Sequence, residues 1–166
     1  MERLDRGHCR DRCAKGPQTV SVVEVSADID APPEAVWKVV ADPRNLPRWN
    51  RHIISVEDVP PDGLHLGSHY TAHLAVMGVR GKSRATVVDL RPPEYAKIQL
   101  TGIVEATVET WLEPRNRSKS RLRHRIVYRF RGGPLGEVAA RAVNAMGAMR
   151  LLRKGIQAQK EQAENR

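Results

Sequence analysis

Three side chains that could move a proton, His124, Tyr128 and Asp89, lie in stretches whose composition predicts β-strands. An imidazole beside a phenol or a carboxylate could serve as general base and general acid at an enolisable carbonyl. His124 and Tyr128 would point to the same strand face, but strand rise separates them by about 13 Å, so they would have to act on different atoms of a large substrate. A core histidine bonded to Thr110 explains His124 just as well, and the residues leave both interpretations open.

The remaining residues with catalytic or metal-binding chemistry do not complete a motif. The sequence has no G-x-S-x-G elbow, no P-loop and no dinucleotide glycine fingerprint. Cys9, Cys13 and His8 fall one ligand short of a closed zinc site, and His69 and His73 have no evident third ligand. We therefore expect no metal and no cofactor.

Turn residues divide the chain into one strand, two short helices, six strands and a long helix. Residues 19–29 are β-branched, and Pro32 and Pro33 suit the first turn of a helix that Asp42-Pro43 ends. A second, shorter helix fits "PRNLPRWN", and apolar residues at steps of three and four predict a helix from Pro134 to about Gln162. The six later strands are predicted in HIISVEDV, SHYTAHLAVM, VRGKSRATVVDL, YAKIQL, VEATVETWL and RLRHRIVYRF.

A curved antiparallel sheet with one dry face needs a cover, and the long helix is the one large element that can supply it. The predicted fold class is therefore α+β, with a seven-stranded curved antiparallel sheet, two short helices and one long C-terminal helix. Residues 1–18 are polar and are predicted to be a flexible basic leader, and residues 19–164 a single domain. The leader lacks the apolar centre of a secretory signal, and no apolar run is long enough to span a membrane, so we expect a cytoplasmic protein.

Alternating charges set the pairing of the last two strands. If Glu113 lies opposite Arg121, three ion pairs and one cation–π pair share a face. These pairs are Glu113–Arg121, Trp111–Arg123, Glu109–Arg125 and Glu105–Arg129. The other face, which we expect to line a cavity, then pairs Leu112 with Leu122, Thr110 with His124, Val108 with Ile126, and Ala106 with Tyr128.

The same register accounts for much of the basic run at residues 115–131, which holds eight Lys and Arg residues and no acid, in a chain of net charge +9. Arginines at alternate positions are typical of a solvated outer face. Arg115, Arg117, Lys119 and Arg131 are left without predicted partners, which keeps an RNA-binding or anionic-membrane stripe as an alternative. Few aromatic residues are interleaved with them, so nucleic acid is the less favoured partner.

For the third and fourth strands we choose the orientation that keeps Arg80, Lys82 and Arg84 in solvent, because burying them without partners is costly. The residues then predicted to face inward are Tyr70, Ala72, Leu74, Val76, Ser83, Ala85, Val87 and Asp89.

The element order and the stretch IDAPPEAVWKVVADPRNLPRWN resemble the START-like helix-grip superfamily, specifically the polyketide cyclase/dehydrase and lipid-transport (SRPBCC) family. The resemblance covers roughly residues 19–162 and includes APPEAVW, DP…LPRW, VVDLRPPEYAKIQL, WLEP, RLRHRIVYRF and GGPLG. It implies an apolar cavity between the sheet and the long helix, with the short helices and a hairpin edge at its mouth. Because the family places lipid carriers, hormone-binding proteins and aromatase/cyclases on one scaffold, the resemblance predicts the fold more specifically than the activity.

Together these observations predict binding or transport of a small hydrophobic molecule such as a lipid, an isoprenoid or a polyketide. The alternative is a polyketide aromatase/cyclase or dehydratase acting in the same cavity, with His124, Tyr128 and Asp89 as catalytic candidates. Trp37 is expected in the core, and Trp49 either in the core or at the mouth. A monomer and a homodimer are both compatible with the sequence. The predicted ligand-contacting residues are Trp49, Tyr70, Ala72, Leu74, Ser83, Ala85, Val87, Val108, Thr110, His124, Ile126, Tyr128, Met146 and Met149.

Overall fold

A computed structural model describes residues 19–76, 79–130 and 147–165 of the chain. Within these residues the chain forms seven strands and three α-helices, with one 3-10 turn at Pro43–Asn45. The strands are β1 (Thr19–Ile29), β2 (Ile53–Glu57), β3 (His69–Val76), β4 (Val79–Arg91), β5 (Tyr95–Gly102), β6 (Glu105–Asn116) and β7 (Lys119–Phe130). The helices are α1 (Pro33–Val40), α2 (Leu46–Trp49) and α3 (Ala148–Glu164).

All seven strands belong to one curved antiparallel sheet, in the order β1-β7-β6-β5-β4-β3-β2. The predicted fold class is confirmed. Consecutive strands from β2 to β7 are neighbours, while β1 pairs with β7 at the far edge. The two short helices therefore carry the chain from one edge of the sheet to the other.

The prolines of the α1 start act as the sequence predicts. Pro32 is extended at φ −68° and ψ 154°, Pro33 opens the helix, and Glu34 lies in the first turn, near the positive end of the helix dipole. After α1, the Asp42 side chain accepts a hydrogen bond from the backbone N–H of Arg44 at 3.0 Å. These prolines and the Asp42 hydrogen bond fold α1, the 3-10 turn and α2 into a compact unit at one end of the sheet.

The predicted register of β6 and β7 is confirmed along its whole length, from Glu105 opposite Arg129 to Glu113 opposite Arg121. The hairpin is longer than predicted, because residues between the predicted strands VEATVETWL and RLRHRIVYRF extend β6 to Asn116 and start β7 at Lys119. The Asn116 Oδ1 atom accepts a hydrogen bond from the backbone N–H of Ser118 at 2.9 Å and closes the turn.

Carboxylates on β1 and directly after it neutralise part of the basic outer face. The Arg121 Nε atom donates to Asp28 at 2.7 Å, which corrects the prediction that Arg121 would pair with Glu113. Lys119, predicted to be unpaired, lies 2.7 Å from Asp30. The correction arises because β1 lies beside β7, an adjacency that the charge pattern of β6 and β7 alone does not reveal.

Two other predicted contacts on this face are present. The Arg125 guanidinium lies 3.4 Å from Glu109, and the Arg123 guanidinium carbon lies 4.1 Å from the centre of the Trp111 ring.

The helix α3 lies across β1 and contacts α1 and α2. It begins after Gly147, whose φ of 72° is in the left-handed region, and its buried positions include Ile156, Gln159 and Ala163. The predicted helix start at Pro134 and the predicted leader both lie outside the described residues. No described helix is both long enough and apolar enough to cross a bilayer.

Candidate ligand-binding site

One end of the inner sheet face is sealed by the helices. We call this the closed end, and its buried cluster contains Ile29, Val36, Val39, Trp49, Leu112, Leu122, Ile156 and Ala163. Gly155 permits close packing, because a Cβ atom at this position would lie 3.2 Å from the carbonyl oxygen of Trp49. At the closed end the sheet and the helices form a packed core.

Further along the same face, inward-facing apolar side chains keep part of their surface accessible. We call this region the open part; it comprises Ile98, Leu100, Val108, Ile126 and Tyr128, each of which is only half-buried. Strand pairing places Val108 between Ile98 and Ile126, so these side chains are contiguous. The open part therefore offers apolar surface that the described residues do not fully cover.

The strands β3 and β4 face inward as predicted up to Val87. The predicted inward residues Tyr70, Ala72, Leu74, Ser83, Ala85 and Val87 are all at most 6% exposed. The outward prediction for Arg80, Lys82 and Arg84 is also confirmed, since all three are exposed. Val76 lies in β3, but its side chain is outside the described ones.

Asp89 is the exception, and its predicted inward orientation is wrong. A register shift between Val87 and Asp89 pairs Asp89 with Lys97 on the outer face. Its side chain is 47% exposed and lies 3.8 Å from the Arg91 guanidinium. A β-bulge at this point reverses the alternation of the strand, so Asp89 does not point toward the inner face.

The Tyr70 hydroxyl is a polar group on the inner face. The side chain is 5% exposed, and its hydroxyl makes no hydrogen bond with any described residue. Burial raises the pKa of the Tyr70 phenol well above its usual value, so the hydroxyl stays protonated and can donate. The hydroxyl oxygen nevertheless keeps some accessible surface, which makes Tyr70 a candidate contact for a ligand oxygen.

The Ser83 hydroxyl, in contrast, is already engaged. It accepts from the backbone N–H of Val104 at 3.1 Å and donates to the Val104 carbonyl at 3.3 Å. Ser83 therefore fastens the connection between β5 and β6.

His124 bridges the sheet and the helix. Its Nδ1 atom lies 2.9 Å from the Thr110 hydroxyl, and its Nε2 atom lies 2.8 Å from the Gln159 Oε1 atom of α3. An amide oxygen can only accept, so Nε2 carries the proton and Nδ1 accepts from Thr110. Burial lowers the pKa of His124, partly opposed by the bond to Gln159, and the neutral ring is favoured.

Trp49 occupies the closed end. Its side chain is 7% exposed and its indole N–H donates to the Gln162 Oε1 atom at 2.9 Å. Of the two interpretations left open by the sequence, the structure favours the core. Trp37, predicted in the core, packs against the same cluster.

Met149 and Met146 are the two methionines predicted to contact a ligand. Met149 lies at the start of α3 and is 39% exposed. Met146 is outside the described residues.

Three residues of the site, two on the inner sheet face and one on α3, were missed by the sequence analysis. Ile98 and Leu100 alternate in YAKIQL and pair with Val108 and Ala106, so period-two alternation could have identified them. Gln159 interrupts the apolar positions of α3, and a polar residue at such a position is a signal for a buried hydrogen bond. No group of His, Cys, Asp and Glu suited to a metal ion occurs among the residues that the structure describes.

Comparison with known proteins places this geometry in a family. Residues 21–164 match the model of the family described as polyketide cyclase / dehydrase and lipid transport. No curated protein sequence matches the chain significantly.

Solved structures share the fold at low sequence identity. The Zhui aromatase/cyclase from Streptomyces sp. R1128 is similar, with a TM-score of 0.73 and 19% identity over 89% of this chain and 96% of that one. A START superfamily protein from Mycobacterium smegmatis gives a TM-score of 0.65 and 17% identity over 85% of this chain and 97% of that one. Norcoclaurine synthase from Thalictrum flavum, in complex with dopamine and hydroxybenzaldehyde, gives a TM-score of 0.63 and 12% identity over 97% of this chain and 95% of that one.

The structural similarities show the START-like fold, and the family match spans nearly the whole described region. The chain belongs to the polyketide cyclase/dehydrase and lipid-transport family.

Proposed function

We propose that this protein binds a small hydrophobic molecule against the open part of the inner sheet face. The observation that carries the proposal is the half-buried apolar surface of Ile98, Leu100, Val108 and Ile126, on the same face that is sealed at Leu112 and Leu122. Apolar surface left accessible inside a curved sheet is the physical requirement for a hydrophobic ligand site.

Energetics support this use of the surface. Covering about 200 Å² of apolar area contributes roughly 5 kcal/mol before the costs of association. The unpartnered Tyr70 hydroxyl adds one directional contact, which would favour a ligand that carries an oxygen. A lipid, an isoprenoid or a polyketide-like molecule has this combination of apolar bulk and few oxygens.

The alternative is aromatase/cyclase or dehydratase chemistry in the same place. The solved aromatase/cyclase shows that the fold supports such chemistry in that protein. Here, however, both ring nitrogens of His124 are hydrogen-bonded, and Asp89 lies on the outer face. A general base on the inner face would require His124 to leave Thr110 or Gln159, so we favour binding without chemistry.

The proposal is tested by native mass spectrometry of the purified protein, followed by denaturation and extraction. We expect one hydrophobic molecule per chain after mild purification, or saturable binding of added lipids and polyketides to a native sample of the purified protein. A protein that is recovered empty and binds none of these molecules would contradict the proposal.

The catalytic alternative has its own test. His124→Ala should leave ligand stoichiometry intact if His124 only bridges the sheet and α3. If turnover of a bound polyketide is observed and His124→Ala abolishes it while binding persists, the enzymatic alternative replaces binding without chemistry.

A further inference from the structure

Tyr70 and Tyr128 stand at the two ends of one row of paired residues across the inner face. Tyr70 pairs with Ala85, Ala85 with Leu100, Leu100 with Ala106, and Ala106 with Tyr128. Side chains at directly paired positions point to the same side of a sheet. All five side chains of the row, from β3 to β7, therefore face inward together.

The row has a characteristic composition. The residues next to each tyrosine, Ala85 and Ala106, are small, and Leu100 at the centre is the largest apolar side chain between the two rings. Neighbouring strands lie about 4.8 Å apart, so the four steps of the row span about 19 Å along the sheet. Because the sheet is curved, the straight path between the two tyrosines is shorter than this.

Both phenol hydroxyls lack a hydrogen-bond partner among the described residues. Tyr70 is 5% exposed, and Tyr128 is half-buried beside Ser21 of β1. Burial raises the pKa of both phenols, so both carry their protons at neutral pH. The row thus presents two hydrogen-bond donors with an apolar floor between them.

We propose that the site takes an elongated apolar molecule with an acceptor oxygen toward each end, one bound by Tyr70 and the other by Tyr128. This inference rests on the proposed function and narrows its ligand class. Carbonyl or ether oxygens suit both ends, since such groups accept without bringing a donor that needs its own partner. The middle of the molecule would lie over Leu100, the half-buried side chain at the centre of the row.

The test compares two twelve-carbon probes on the wild-type protein. The first, 2-dodecanone, has a single carbonyl group near one end, and the second, dodecane-2,11-dione, has a carbonyl group near each end. Affinity is measured by displacement of Nile red, an uncharged apolar dye. One additional hydrogen bond of ordinary strength predicts that the dione binds about fivefold more tightly than the monoketone.

Variants then assign the two ends. Tyr70→Phe and Tyr128→Phe should each weaken dione binding about fivefold, and the double variant should lose the preference for the dione. Tyr95→Phe is the matched control, because the Tyr95 hydroxyl donates to Glu109 on the outer face at 3.0 Å. It should leave both affinities unchanged.

The outcomes separate the two proposals. If both ketones displace the dye with equal affinity, or if only one tyrosine affects the dione, the two-ended site is wrong while hydrophobic binding stands. If neither the dye nor any probe binds, both proposals fail. The comparison of the two ketones uses the unaltered chain, so it does not depend on the folding of any variant.

Discussion

The two regions of the inner face differ in cover although they use the same two strands. In β6, Leu112 is 1% exposed while Val108 is half-buried; in β7, Leu122 is 0% exposed while Ile126 is half-buried. Each pair is separated by four residues, an even number, so strand alternation places both members on the same face. The difference therefore comes from what lies above the sheet.

At the closed end, the elements above the sheet are identifiable. Leu112 and Leu122 belong to the cluster formed with α1, α2 and α3, including Val36, Val39 and Ile156. These are residues of the short helices and of the core-facing side of α3. The lesson is that the prolines and tryptophans of residues 31–50 build the seal at one end of the sheet, which confines the accessible apolar surface to the other part.

The largest expected loss of stability comes from a substitution at the closed end. Leu122→Ala removes a fully buried side chain and should lower the free energy of unfolding by about 2–5 kcal/mol. Ile126 lies four residues further along β7, in the open part. Ile126→Ala should lower the free energy of unfolding by less than half as much as Leu122→Ala, because its side chain loses fewer contacts. Urea unfolding of both variants measures the difference, and equal losses would show that the open part is packed as tightly as the closed end.

A smaller effect concerns the bridge between the two regions, at His124. Because its pKa is lowered on folding, the unfolded chain binds more protons below about pH 6.5, and stability should fall as the pH drops from there through the folded pKa. The slope from one such group is at most about 1.4 kcal/mol per pH unit. In His124→Gln this contribution should disappear, as followed by urea unfolding between neutral pH and about pH 5.

The control for this prediction is His69→Gln, which removes an exposed histidine of the outer face. If His69→Gln flattens the pH profile as much as His124→Gln does, the dependence does not originate at the sheet–helix bridge.

The smallest effect is expected on the outer face, at Asp28. The hydrogen bond from Arg121 holds the pKa of this carboxyl below its usual value, so the contribution is present above the unfolded pKa and is lost as the pH falls through the folded pKa. The pair is solvent-exposed, so Asp28→Asn should change stability less than either inner-face substitution. Its effect should shrink further in about 1 M NaCl. A loss comparable to that of Leu122→Ala would mean that the outer ion pairs carry the fold.

Sequence reasoning succeeded where a regular residue pattern was compatible with only one strand register. Alternating Glu and Arg residues in β6 and β7 define a unique register, and the structure has that register. The pattern failed at Asp89, because a bulge after Val87 adds one residue to the strand without a turn residue to signal it. It also could not pair Arg121 with Asp28, since the adjacency of β1 and β7 is a property of the whole sheet.

The sequence also predicted only part of the candidate site. The inward orientation of Tyr70 and Tyr128 follows from alternation along single strands, but their shared row depends on the registers of four strand pairs. The bond between His124 and Gln159 depends on where α3 crosses the sheet, and helical periodicity does not determine that position. Local patterns thus predict which face a residue occupies, and tertiary packing decides what covers it.

The most direct test of the account uses neighbouring residues on opposite faces of β6. Val108 and Thr107 are both half-buried, but Val108 lies in the open part and Thr107 faces outward. Val108→Phe should fill the accessible space and weaken Nile red binding at least tenfold, whereas Thr107→Phe should bind the dye as the unaltered chain does. If both variants bind the dye equally well, or if the unaltered chain does not bind it, the open part of the inner face is not a ligand site.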